Sequence, residues 1–234
     1  MYDYTYLIFV VPALLLSMIA QFGIKSKFSK YSKKLSQRNI TGTQAAAFLL
    51  NANGITDVKL GRISGNLTDH YDPSGKVLRL SDSVYNSTSI AAIGVAAHET
   101  GHAIQHNKKY GPLNFRRFLV PVANLGSQAG PLLAIAGIAM SLPILINVGI
   151  LLFTGSVLFY VVTLPVEFNA SNRALKILKQ YNVLSDEELR GVKKVLKAAA
   201  MTYVASALVA IGNLFRLIFI AKKRHRPSFL QNRF

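Results

Sequence analysis

The chain has no cysteine among its 234 residues. Disulfides, thiolate catalysis and cysteine-ligated zinc or iron–sulfur sites are therefore excluded. Any bound metal must be held by His, Asp or Glu. Charge is also scarce. Asp, Glu, Lys and Arg make up 16% of the chain, against about 25% in an ordinary soluble domain. Hydrophobic residues reach 51%, and the mean hydropathy is +0.31. A disordered chain would be polar and charge-rich, so that class is excluded. An integral membrane protein is predicted instead. Acids are the scarcer charge: 10 Asp and Glu stand against 27 Lys and Arg, a net charge of +17. In so apolar a chain, the excess fits loops flanking membrane spans and contact with anionic lipid better than nucleic-acid binding. The length allows one compact domain plus membrane helices.

Three apolar blocks are present. Residues 6–24 are long enough to cross a ~30 Å hydrocarbon core. No basic segment precedes this run and no small-x-small site follows it, which argues against a cleaved signal peptide. Lys25, Lys27, Lys30, Lys33, Lys34 and Arg38 come after it. The positive-inside rule then places the N-terminus outside and residue 25 onward in the cytoplasm. Residues 118–166 carry no charged side chain. Ser141-Leu142-Pro143 near the middle predicts a helical hairpin, out over 118–140 and back over 144–165. Residues 198–221 form the third block, interrupted by Gly212, Asn213 and Arg216. A fourth crossing would put Lys222, Lys223, Arg224 and Arg226 outside, against the rule. A span is preferred, with a helix lying in the membrane surface as the alternative.

The expected organisation is an anchor (1–24), a soluble cytoplasmic region (25–117), the hairpin (118–166), a further helix and basic segment (167–197), and an apolar helix with a basic tail (198–234). The class is α-rich α+β with three to four transmembrane helices. In the soluble region, 41–53 reads as a helix closed by Gly54. Residues 55–60, 63–67 and 76–81 alternate like short strands. Residues 69–75 are dense in turn formers. From Ser87 onward, small and apolar residues lead into a helix that continues to His106.

That helix contains His98-Glu99-Thr100-Gly101-His102, an H-E-x-x-H. Residues four apart share one helix face, so both imidazoles can reach one ion. Glu99 stands beside them, where a carboxylate can take a proton from a zinc-activated water without ligating the metal. At this chain's own His and Glu frequencies the pattern arises by chance in roughly 2 chains per 1,000. A catalytic zinc takes a third protein ligand. His106 continues the series, but eight residues of helix span about 12 Å, too far for one ion to bond both ends. It reads as a surface or helix-end histidine. A metzincin would need His at 108 and Gly at 105; those residues are Lys108 and Gln105. Asp186, Glu187 and Glu188 read as a helix start capped by Ser185. Glu167 is the first charge after 49 uncharged residues and starts what reads as another helix. A two-span hairpin returns it to the membrane face of His98 and His102. Third ligand is the favoured role, with an interfacial Glu at a helix N-terminus as the alternative.

The runs DHYDPSGKVLRLS (69–81), VYNSTSIAAIGVAAHETGHAIQH (84–106) and PVEFNASNRAL (165–175) resemble the YugP-type membrane zinc metallopeptidases of bacteria. The chain is more distantly similar to the HtpX and CAAX-prenyl-protease type of membrane gluzincin, whose third ligand is a Glu in a later helix. The resemblance implies a small zincin-like domain. It implies one zinc held by His98, His102 and Glu167, with Glu99 as the catalytic base. It also implies hydrolysis of membrane or membrane-associated polypeptides. Two positions depart from the pattern: Asn169 and Ser171 each stand where a carboxylate could orient a ligand imidazole.

That departure motivates a rival reading, a catalytically weak or inactive metal-binding membrane scaffold. The intact Glu99 argues against it, since a structural zinc has no use for a base. For the gem-diolate, His70 and Tyr71 are candidate donors, with a solvated turn as their plainer reading. The strand 76–81 is expected to be an edge that binds substrate as an added strand. Expected partners are a polypeptide substrate and the lipid bilayer, including anionic lipid, and no nucleic acid.

Overall fold

The computed structural model describes residues 4–224; Arg226 of the basic tail lies outside them. In chain order the elements are α1 (Tyr4–Phe9), α2 (Val11–Ser32), α3 (Gly42–Ala52), β1 (Lys59–Ile63), β2 (His70–Asp72) and β3 (Val77–Ser81). They continue with α4 (Asp82–Tyr85), α5 (Ile90–Asn107), α6 (Gly111–Met140), α7 (Pro143–Gln180) and α8 (Asp186–Arg224). The protein is α-rich α+β. Four helical stretches are long and apolar enough to cross a membrane: Tyr4–Ser32, Gly111–Met140, Pro143–Gln180 and Asp186–Lys223. The block over 198–221 is uninterrupted helix despite Gly212, Asn213 and Arg216.

The chain divides into two compact units. One comprises Met1–Ile19, Phe115–Thr163 and Tyr203–Phe234. The predicted hairpin is here. Ser141 adopts a left-handed φ of 57°, and Leu142 N–H bonds the Gly137 carbonyl at 2.8 Å, closing α6. α6 and α7 approach so closely that a Cβ on Gly126 would lie 2.1 Å from the Leu152 carbonyl oxygen. Ser156 Oγ donates to the Ala123 carbonyl at 2.9 Å. Such contacts suit helices packed in lipid, where small residues and interhelical hydrogen bonds replace the hydrophobic drive. Arg216 lies over the Tyr6 ring, 5.4 Å from its centroid, a cation–π contact available to a charge in an apolar helix.

The other unit comprises Ala20–Asn114 and Leu164–Thr202. Thr41 and Gln44 form a reciprocal capping box that starts α3, satisfying two otherwise orphaned donors. Gly54, at φ 70°, follows the helix as expected. Ser185 and Glu188 cap α8 in the same way: Ser185 N–H donates to Glu188 Oε2 at 2.7 Å and Glu188 N–H to Ser185 Oγ at 3.4 Å. The core gathers Leu49, Leu78, Leu80, Ile93, Leu178 and Val192, all at most 0% exposed.

The sheet corrects the sequence reading in three places. Its order is β1-β3-β2, with β1 parallel and β2 antiparallel to β3. β3 is therefore the central strand and has no open edge for a substrate. Alternation reports only which face is buried, here Leu78 and Leu80, and is the same for edge and centre. β1 straddles the two segments expected to be separate strands. β2 lies inside the segment expected to be turn. The turn itself is confined to the residues after Asp72, whose Oδ1 accepts from Ser74 and Gly75 N–H at 2.9 and 3.1 Å.

Candidate metal centre

The centre is built on α5 and α7. Ser89 caps α5, its Oγ accepting from Ala92 N–H at 3.2 Å. Ala91, Ala92, Ala96 and Ala97 are fully buried, so their small side chains let neighbouring elements come close. The backbone of α7 comes close at Gly101, where a Cβ would lie 2.7 Å from the Ala170 carbonyl oxygen. This contact brings the face bearing His98 and His102 against the α7 turn bearing Glu167. Glu167 does not start a helix, contrary to the sequence reading. It is interior to α7, which runs through Pro165. Proline loses one hydrogen bond in a helix but does not compel a break.

His98 Nε2 and His102 Nε2 lie 3.3 and 3.5 Å from the same Glu167 Oε2. The ligand atoms all lie within 4.8 Å of one another. The three side chains are only 14%, 12% and 3% exposed. Zinc bonds of about 2.0–2.1 Å in a tetrahedron set ligand atoms about 3.3–3.4 Å apart, so the two measured edges match. Two imidazole nitrogens and a carboxylate oxygen are also the donor set of a three-ligand zinc site with an open fourth position. The residues present fit zinc.

Each imidazole is held from behind. His98 Nδ1 lies 3.2 Å from Ser171 Oγ. His102 Nδ1 lies 3.0 Å from Gln105 Oε1. The Gln105 amide is itself oriented: its Nε2 donates to the Val166 carbonyl at 2.8 Å and to Asn169 Oδ1 at 3.0 Å. A carbonyl can only accept, so the amide nitrogen must face Val166 and the amide oxygen must face His102. His102 Nδ1 therefore donates to Gln105, and Nε2 is the nitrogen that faces the ligand cluster. Arg173 Nε donates to Asn169 Oδ1 at 2.7 Å and completes the chain. The two positions lacking a carboxylate thus still support the imidazoles, Ser171 directly and Asn169 through Gln105. Sequence reasoning missed Gln105. The available signal was its i+3 spacing from His102, which places the two side chains as neighbours on one face.

Glu99 is 7% exposed and is not a member of the ligand cluster. Burial pushes its carboxyl up to about 7, and His98 and a hydrogen bond from the Tyr71 backbone N–H pull the other way. Tyr71 thus meets Glu99 through its backbone. Its phenol is 2.8 Å from His106 Nδ1. His70 has Nδ1 2.9 Å from the Thr68 carbonyl and Nε2 3.3 Å from Arg79 Nη1. The side-chain polar atoms of both proposed oxyanion donors are therefore engaged with other groups. His106 is in the last turn of α5 and lies outside the ligand cluster.

Comparison with known proteins bears on this geometry. Residues 6–222 match the family model described as "Putative neutral zinc metallopeptidase". The chain is 46% identical over 215 residues to the "Putative membrane protease YugP" of Bacillus subtilis (strain 168), covering 92% of this chain and 96% of that relative. No solved structure matches it.

Proposed function

The chain belongs to the neutral zinc metallopeptidase family, and from that premise we propose that it is a membrane-embedded zinc endopeptidase in which His98, His102 and Glu167 hold one zinc and Glu99 is the general base. The observation that carries the ligand assignment is the pair of imidazole nitrogens 3.3 and 3.5 Å from one carboxylate oxygen. When bound, zinc supplies Lewis-acid activation of a water and of the scissile carbonyl. Glu99 does the proton work. A buried carboxylate beside the ligand cluster takes a proton from the attacking water and returns it to the leaving amine. Ser171 and Gln105 hold the imidazoles in the ligating orientation.

β2 is an edge strand whose Tyr71 N–H meets Glu99, so a substrate in extended form adds beside β2, next to the base. The substrates are membrane or membrane-associated polypeptides, and the bilayer, with anionic lipid at the basic flanks, is the other partner. The basic residues after the first span support a centre at the cytoplasmic face. Residues 25–117 and 167–197 form the peptidase part, and 1–24, 118–166 and 198–234 the membrane part. The rival, an inactive metal-binding scaffold, leaves the buried Glu99 without a purpose.

Glu99→Gln separates the two readings. The variant should keep about one zinc per chain, by elemental analysis in detergent, and lose roughly 10²- to 10⁴-fold in peptide cleavage. Cleavage at the wild-type rate would sink the assignment of the base.

A further inference from the structure

A cavity of about 240 Å³ opens at the C-terminal end of α5. Ala103 and Val58 give it apolar lining, and Lys76 and Lys109 give it cationic lining. It adjoins the proposed active site through two residues. Ala103 directly follows His102. Tyr71 lines the cavity with its side chain and meets Glu99 with its backbone N–H. His106, also in the lining, is one helical turn past His102, about 6 Å along the axis. An extended peptide advances about 3.3–3.4 Å per residue. About two residues of extended peptide cover the axial distance from His102 to His106.

The two lysines have an unusual backbone. Six non-glycine residues among those described have positive φ: Asn39, Leu67, Lys76, Lys109, Ser141 and Asn182. The two charged ones, Lys76 at 49° and Lys109 at 50°, both line this one cavity. Glycine takes such a conformation without steric cost, and lysine does not. At Lys109 the chain is leaving α5, with Tyr110 N–H bonded to the Gln105 carbonyl at 2.9 Å, a helix end where glycine is the usual residue. The backbone thus gains nothing from lysine at either position, and what lysine adds is an ammonium group. Asp57 also lines the cavity and pairs with Lys76, but both side chains are more than half exposed, at 51% and 58%. Such a pair is weak and exchanges readily for another carboxylate. Lys109 takes part in no ion pair among the described residues.

We propose that this cavity is a substrate subsite for a carboxylate-bearing residue about two positions from the scissile bond, bound by the ammonium groups of Lys76 and Lys109. The proposal rests on the peptidase reading. The apolar lining accommodates the methylenes of a glutamate, and the two cations take its carboxylate.

The test uses the full chain, zinc-loaded in detergent, with fluorogenic peptides that carry Glu, Gln or Lys in turn at each position around the scissile bond. Wild type should prefer Glu over Gln roughly two- to fivefold in kcat/KM at one position and disfavour Lys there. The double variant Lys76→Gly/Lys109→Gly removes both ammonium groups and eases both backbones. Its Glu-to-Gln ratio at that position should close to about one, with a thermal midpoint at or above wild type. Lys109→Glu should move the preference toward Lys. Equal cleavage of all three peptides by wild type overturns the subsite. A double variant that keeps the Glu preference at an unchanged thermal midpoint overturns it too. Failure to cleave any peptide in a Glu99-dependent manner overturns the peptidase reading itself, and the subsite with it.

Discussion

Gln105 offers the sharpest test of how the centre is held together. It is fully buried, and its amide fixes the His102 imidazole while bonding the Val166 carbonyl and Asn169 of α7. Gln105→Leu keeps the volume and removes every one of these bonds. Asn169 Oδ1 retains Arg173 at 2.7 Å, and the Val166 carbonyl retains its place in the helix. The group left stranded is the His102 Nδ1–H, in a side chain only 12% exposed. A buried donor without a partner costs about 1–3 kcal/mol. Loss of a group supporting a metal-ligating histidine costs roughly 10- to 100-fold in metal affinity, about 1.4–2.8 kcal/mol, so the two estimates agree. The assay is a zinc titration of the full chain in detergent against a competing chelator. Asn169→Asp is measured alongside: it keeps the accepting oxygen for Gln105 and gives Arg173 a charged partner, so zinc should bind at least as tightly as in wild type. A Gln105→Leu chain that binds zinc within about threefold of wild type would refute the inference that this amide orients the His102 imidazole.

Two further outcomes follow from the packing and the charges. Gly101→Ala places a methyl 2.7 Å from the Ala170 carbonyl oxygen, so α5 and α7 must separate. The variant should lose about 1–3 kcal/mol of stability and bind zinc more weakly, read by thermal unfolding with and without zinc. Asp69 accepts from Ser81 N–H and Oγ at 2.7 and 2.8 Å, yet burial holds its carboxyl above the ordinary value of 3.8. A raised carboxyl contributes stability that is fully present below 3.8 and is lost as pH rises through the folded-state value. The thermal midpoint of Asp69→Asn should therefore gain on that of wild type as pH is raised across that window. A constant gap between the two chains would show that Asp69 does not titrate differently on folding.

Local patterns carried much of this protein. The hydrophobic lengths and the Ser141-Leu142-Pro143 turn announced the spans and the hairpin. The Ser185 cap announced one helix start, and Gly54 announced one helix end. The four-residue spacing of His98 and His102 announced one helix face bearing both imidazoles, because a helix alone brings them together. Everything that completes the centre depends on contacts between residues far apart in the chain. Glu167 is 65 residues from His102, and its carboxylate meets both imidazoles only because Gly101 lets α7 close on α5. Gln105 becomes the support of His102 only when Val166 and Asn169 arrive to orient its amide. β3 is central rather than an edge because β1 and β2 pair on both its sides, which a period of two cannot report. Periodicity and caps are properties of neighbouring residues and were legible in order. The partners of a buried polar atom are chosen by which segments pack together, and only the tertiary structure decides that.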